Sequence, residues 1–297
     1  MNGLLNVLKP PGMTSHDVVN VVRRLVPGKV GHTGTLDPLA SGVLVLTIGA
    51  ATRLTDLVAI EDKAYRGELT FGFETDTLDL DGVVTARGET SHLTEATVRD
   101  AMAGMVGVLE LPPPMYSAVK QGGRRLYELA RAGREAVREP RPMTVRRMDL
   151  IDYVAGEQPR CLCDIECSKG TYVRSLAQEL ARRLGTVATL SFLVRVAHGG
   201  YLLPDAMTLE EVAQAAVEGR LQDKMVPMAR ALPEFPKVCL DRAAAVQMQH
   251  GGALCHETDL PAGTLVMVLS GEEAVCIAEV LSGESGPCLQ PRRVFRS

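Results

Sequence analysis

No apolar stretch in this 297-residue chain approaches the length of a membrane-spanning helix. The opening, Met1 to Pro11, has a short apolar patch but neither a basic start nor a cleavage-like site. No signal peptide is read there, and a cytoplasmic location is expected. Several common chemistries also lack their fingerprints. There is no dinucleotide-binding glycine motif and no Gly-x-Ser-x-Gly elbow. Pro27-Gly28-Lys29-Val30 lacks the spacing and the hydroxyl of a phosphate-binding P-loop. The run Thr77-Leu78-Asp79-Leu80-Asp81-Gly82 resembles a calcium loop, but its first position is Thr77 and its twelfth is Gly88 rather than Glu. The seven cysteines are an odd number, and Cys239, Cys255, Cys276 and Cys288 show no Cys-x-x-Cys spacing. Neither a disulfide framework nor a zinc clip is expected. A basic excess is missing too: 32 Lys and Arg against 36 Asp and Glu leave a net charge of −4, which argues mildly against nucleic-acid binding.

Charge distribution reverses that last inference locally. From Met115 to Leu150 stand nine bases (Lys120, Arg124, Arg125, Arg131, Arg134, Arg138, Arg141, Arg146 and Arg147) against four acids (Glu128, Glu135, Glu139 and Asp149). The window is a basic island in an acidic chain, either a solvated face of ion pairs or an RNA-facing patch.

Periodicity supplies a coarse plan. Gly3–Lys9 and Val43–Ile48 read as strands, and Lys63–Phe73 alternates with Tyr65, Gly67, Leu69, Phe71 and Phe73 on one face. Thr14 to Asp17 reads as a capping box opening a helix, and Thr208 to Glu211 as another. Cys161, Cys163, Ile165 and Cys167 share a strand face, where the thiols act as buried apolar groups. Thr171–Leu184 is the clearest helix. Leu232-Pro233-Glu234-Phe235-Pro236 reads as a linker, followed by a small β-rich unit.

The most informative stretch is Gly31-His32-Thr33-Gly34-Thr35-Leu36-Asp37-Pro38-Leu39-Ala40-Ser41-Gly42-Val43-Leu44. Pro38 pushes Asp37 toward extended dihedrals, and the loop can aim one acid into a cleft from the following strand. Alone, an Asp-Pro in a glycine-rich loop is an ordinary turn. Ser168-Lys169-Gly170-Thr171-Tyr172-Val173-Arg174 ends a strand and opens a helix, a place where free backbone N–H groups attract anions. Arg174 in the first helical turn opposes the macrodipole and is more comfortable with a carboxylate partner, for which Asp37 is the candidate. Tyr65 is a core tyrosine by default; its functional alternative is stacking against an extruded base.

Five separated segments together resemble one family, the bacterial tRNA pseudouridine synthases B that act on uridine 55 of the T-loop. They are Leu8 to Ser15, the Asp37 loop, Lys63-Ala64-Tyr65-Arg66, Met115 to Lys120 with Leu126-Tyr127-Glu128, and Ser168 to Arg174. The resemblance implies an α+β fold with a mixed, largely antiparallel sheet and flanking helices, plus a PUA-like C-terminal β-domain. It implies a catalytic domain over residues 1–231, with a basic RNA-gripping arm at 115–147, and the small domain over 237–297. Asp37 would be the catalytic carboxylate, Arg174 its partner, and Tyr65 the stacking residue that helps remove the C5 proton. His32 would fill space vacated in the RNA, while Tyr172 and Leu193 line the uracil pocket; Lys169, read from its place at the anion-attracting helix start, adds charge on the substrate side. Lys120, Arg124, Arg125 and Arg131 would grip the tRNA elbow. No metal or cofactor, no membrane and no obligatory protein partner is expected, and the chain would act as a monomer. Rival readings are a non-catalytic RNA-folding protein and the catalytic subunit of a guide-RNA particle.

Overall fold

A computed structural model describes residues 1–134, 136–283 and 286–295. Glu135, one of the acids in the basic window, and four residues of the expected C-terminal unit lie outside it. No helix among the described residues is long and apolar enough to cross a membrane.

The chain opens with β1 (Gly3–Lys9) and α1 (Ser15–Arg23). Thr14 caps α1 as its sequence implies: the Asp17 amide donates to Thr14 Oγ1 at 3.1 Å, and the Thr14 amide donates to Asp17 Oδ2 at 2.9 Å. Then come β2 (Val30–His32), β3 (Ser41–Ile48), the short α2 (Thr55–Ala59) and β4 (Lys63–Phe71). A small hairpin, β5 (Phe73–Thr75) and β6 (Val84–Arg87), precedes α3 (Glu95–Ala103) and β7 (Gly107–Leu111). A two-residue ribbon, β8 (Lys120–Gln121) and β9 (Arg124–Arg125), leads into α4 (Leu126–Arg131). The long β10 (Arg141–Val154), β11 (Arg160–Cys167), α5 (Val173–Arg183), β12 (Ala188–His198), β13 (Tyr201–Leu202) and α6 (Leu209–Val217) complete the larger unit.

The main path of the central sheet runs β1-β3-β12-β4-β11-β10-β7, with β2 beside β3 and β13 beside β12. Its pairings are antiparallel except for β12 against β3, so the expected mixed, largely antiparallel sheet is present. Alternation makes one face apolar: Cys161, Cys163 and Cys167 are fully buried, Ile165 nearly so. Val98 and Met102 of α3 and Leu176 and Leu180 of α5 share that core with Tyr65, Leu69 and Leu193. Val18, Val19 and Val22 of α1 pack with Val212 of α6 around β1 and β3.

Two expectations need adjustment. The strand read as Lys63–Phe73 stops at Phe71, because Gly72 takes φ +98° and turns the chain into the β5 hairpin. The expected linker is not loose: Leu232 is 2 % exposed, and Phe235 packs against a cluster shared by Leu4, Met267, Ile277 and Phe295. Beyond it, β14 (Lys237–Cys239), α7 (Arg242–Gln249), β15 (Leu254–Cys255), β16 (Leu265–Ser270), β17 (Glu273–Gly283) and β18 (Gly286–Val294) form the small C-terminal β-unit, with strand order β14-β16-β17-β18-β15. Arg293 ties it to α2 through Asp56.

Candidate active site

The Asp37 loop leaves β2 and enters β3, and it is held from below by buried cations. Lys9 is fully buried; its Nζ donates to Ala40 O at 2.6 Å, Pro10 O at 2.9 Å and Pro38 O at 3.3 Å. Burial lowers its pKa to about 8, so the ammonium is charged at neutral pH. Arg195 of β12, also fully buried, donates from Nε to Val43 O at 2.7 Å and from Nη2 to Gly34 O at 3.1 Å. His198 reaches Thr33 Oγ1 at 3.3 Å and Val58 O at 3.0 Å. Burial, with Lys63 and Arg195 nearby, drives the His198 pKa down to about 2, so the ring is neutral. Ser15 clasps Leu36, accepting from its amide at 2.8 Å and donating to its carbonyl at 3.1 Å. At Gly42, φ is +105° and the Arg195 backbone presses on the Cα, leaving no room for a side chain. The loop is therefore fixed at Gly34, Leu36, Pro38 and Ala40, on both sides of the acid.

Asp37 and Arg174 meet. Arg174 Nε donates to Asp37 Oδ2 at 2.9 Å and Nη2 to Oδ1 at 2.8 Å, a bidentate fork. The same guanidinium donates from Nη1 to Thr77 O at 2.8 Å and from Nη2 to Tyr116 O at 2.9 Å. Asp79, itself buried, places Oδ2 at 3.8 Å from Arg174 Nε. Segments 75–82 and 112–117 thus supply, through Thr77 O and Tyr116 O, the carbonyl oxygens that aim Arg174. Ser175 strengthens the second by donating to Pro112 O at 2.8 Å.

The pair is buried on one side only. The Arg174 side chain is 3 % exposed and that of Asp37 is 30 %. Burial pushes the Asp37 carboxyl above the ordinary aspartate value, Arg174 pulls it back, and Asp79 adds to the rise. The acid thus keeps one accessible edge while its arginine partner is enclosed.

Tyr65 lies in the core face of β4, and Leu193 stands opposite Gly67 on β12. Burial raises the Tyr65 phenol, while Arg195 works against that and Asp37 adds to it. Tyr172, half-buried, is raised by the same cause and also feels Asp37. His32 is half-buried, with Nδ1 lacking a hydrogen-bond partner among the described residues; burial, Arg195 and His16 all lower its pKa.

Lys169 stands apart. It is exposed and lines a cavity of about 610 Å³ with Lys63, Arg146, Glu166 and Asp62, to which Asp37, Tyr65, Tyr172 and Arg174 do not contribute. The basic window also divides. Lys120, Arg124, Arg125 and Arg131 are exposed on the ribbon and α4, with Arg125 and Arg131 over the Tyr127 ring at 5.8 and 5.6 Å. From Arg141 onward the window is sheet: Arg146 pairs with Asp62, and Arg147 with Glu166 at 3.0 Å. Sequence reasoning missed Arg195, His198 and Asp79. For Arg195 a signal existed, since it shares the inward alternation of β12 with Leu193.

The model for the TruB family pseudouridylate synthase N-terminal domain matches residues 23–173, and the chain belongs to that family. The tRNA pseudouridine synthase B of Symbiobacterium thermophilum is 50 % identical over 254 residues, covering 85 % of this chain and 83 % of the relative. That of Moorella thermoacetica is 42 % identical over 303 residues and 99 % of both chains. Among solved structures, a Cbf5-Nop10-Gar1 complex matches with TM-score 0.75 at 24 % identity, over 99 % of this chain and 85 % of that one, a likeness of fold.

Proposed function

We propose that the chain converts uridine 55 in the T-loop of tRNA to pseudouridine, with Asp37 as the acting carboxylate. The observation that carries this reading is the Arg174 fork on a one-side-exposed Asp37. The names of the relatives at 38–50 % identity supply tRNA as the substrate class.

The reaction breaks N1–C1′ and forms C5–C1′; a proton leaves C5 and N1 gains one. The base must be extruded, turned and shielded from water. Extrusion costs a few kcal/mol of unstacking. In this reading Tyr65, Tyr172 and Leu193 repay part of it by stacking on and enclosing the uracil. Asp37 attacks C1′, takes the C2′ proton to give a glycal, or attacks C6, and all three routes require its ionised form. Arg174 keeps the carboxylate ionised and oriented. Tyr65, directly or through water, accepts the C5 proton. His32 occupies space left in the RNA by the extruded nucleotides. Lys120, Arg124, Arg125 and Arg131 hold phosphates at the tRNA elbow, and Lys169 attracts the backbone farther off. The chain acts as a cytoplasmic monomer without cofactor or obligatory protein partner.

Because Arg174 also bonds the Tyr116 carbonyl, the arm and the acid share one anchor. The test is to map pseudouridine in unmodified transcript tRNA after incubation with the pure protein. A single modified position at U55 is expected; an unmodified transcript, or modification elsewhere, refutes the assignment.

A further inference from the structure

The seven cysteines fall into three groups. Cys161, Cys163, Cys167 and Cys276 are buried, and Cys239 is exposed on β14, one edge of the C-terminal sheet. Cys255 and Cys288 differ from both groups. They face each other across the β15–β18 ladder at the opposite edge, in register with Leu254 against Leu289. Their sulfurs are 3.2 Å apart. Cys255 is exposed and Cys288 half-buried, so a small reagent can reach the pair. Directly opposed antiparallel residues have Cα atoms about 4.5–5.5 Å apart, inside the range a disulfide bridges without moving the backbone.

We propose that Cys255 and Cys288 form a reversible dithiol–disulfide site that clamps the free edge of the C-terminal sheet. The oxidant is a low-molecular-weight disulfide. The Cys255 thiolate attacks one of its sulfurs and expels a thiolate, leaving a mixed disulfide on Cys255. The Cys288 thiolate then attacks the Cys255 sulfur and expels the second small thiolate. Two protein thiols lose two protons and two electrons, and the small disulfide is reduced to two thiols. The order follows from access and from the sulfur–sulfur approach itself: Cys255 is the more exposed, and its sulfur beside Cys288 raises the Cys288 thiol.

The consequence is local. Strand β15 is two residues long; besides its pairing with β18 it is held by Leu254 packing on the C-terminal core, by the His256 amide donating to Pro287 O at 3.0 Å and by Gln247 Nε2 donating to Ala253 O at 2.6 Å. A covalent link across it closes the loop of residues 256–287 and suppresses opening of the edge.

The experiment uses the full-length chain in glutathione buffers of graded oxidised-to-reduced ratio, with thiol trapping by iodoacetamide and peptide mapping. An intrachain Cys255–Cys288 link is expected, reversed by dithiothreitol, absent from Cys255→Ser and Cys288→Ser, and retained in Cys239→Ser. Hydrogen exchange at Leu254 and Leu289 should slow at least about tenfold in the linked form. Two free thiols in fully oxidised glutathione, or glutathione adducts without the link, overturn the site. Equal exchange in the two redox states overturns the clamp.

Discussion

Replacing Arg174 by lysine keeps the charge and removes the fork. The guanidinium donates four hydrogen bonds, two to Asp37 and one each to the Thr77 and Tyr116 carbonyls. An ammonium has three donors on a point charge and cannot span both Asp37 oxygens while reaching both carbonyls. Donor count alone removes one bond, and a point charge placed at one Asp37 oxygen and one carbonyl leaves two of the four unmade. Hydrogen bonds to charged groups contribute about 1.5–3 kcal/mol each, a gross loss of about 3–6 kcal/mol. The Asp37 side chain is 30 % exposed, so water restores part of this. A net loss of about 3 kcal/mol at the acid corresponds to a rate lowered roughly 150-fold, since 1.36 kcal/mol is a decade. The assay is single-turnover tritium release from tRNA carrying C5-tritiated uridine, with circular dichroism confirming the fold. A folded Arg174→Lys protein within about threefold of the wild-type rate would refute the reasoning.

Other parts of the molecule make their own demands. Alanine at Lys120, Arg124, Arg125 and Arg131 should weaken tRNA binding and flatten its salt dependence by about one log–log unit for each phosphate no longer neutralised; unchanged slopes in a filter-binding titration would remove the arm from the interface. His198 titrates near 6.5 when unfolded and near 2 when folded, so below pH 6.5 the unfolded chain binds a proton that the folded chain refuses. Stability is fully present above pH 6.5 and falls as pH drops toward 2, by about 2 kcal/mol between pH 8 and pH 5 from this residue. Urea titrations of His198→Gln should show a correspondingly shallower pH slope, and parallel slopes would contradict the burial of a neutral ring. Gly42→Ala places a methyl against the Arg195 backbone at φ +105° and should cost about 3 kcal/mol of stability; a loss below about 0.5 kcal/mol would mean that the loop is not clamped there.

Local chemistry was readable where one segment carries the whole signal. The Thr14–Asp17 and Thr208–Glu211 caps, and the inward Cys161-Cys163-Cys167 row, needed no distant partner to be recognised. The Asp37–Arg174 pair was inferable because a cation in a first helical turn asks for a carboxylate. What escaped were side chains whose meaning lies in convergence. Asp79 sits in a calcium-like run until Arg174 arrives beside it, and Arg195 and His198 acquire a role only when the Asp37 loop folds over them. The end of β4 escaped because the alternation continues through Phe73, while Gly72 breaks the backbone without breaking the pattern. The basic window misled by contiguity: charge counts do not see that Arg146 and Arg147 are spent on acids across the sheet.

The most direct measurement concerns the carboxylate itself. Asp37→Asn removes the negative charge at nearly constant shape, and the protein should bind tRNA with near wild-type affinity while forming no pseudouridine over a long single-turnover incubation. Pseudouridine accumulating in tRNA with that protein, free of wild-type contamination, would show that the Asp37 anion is not what drives the isomerisation.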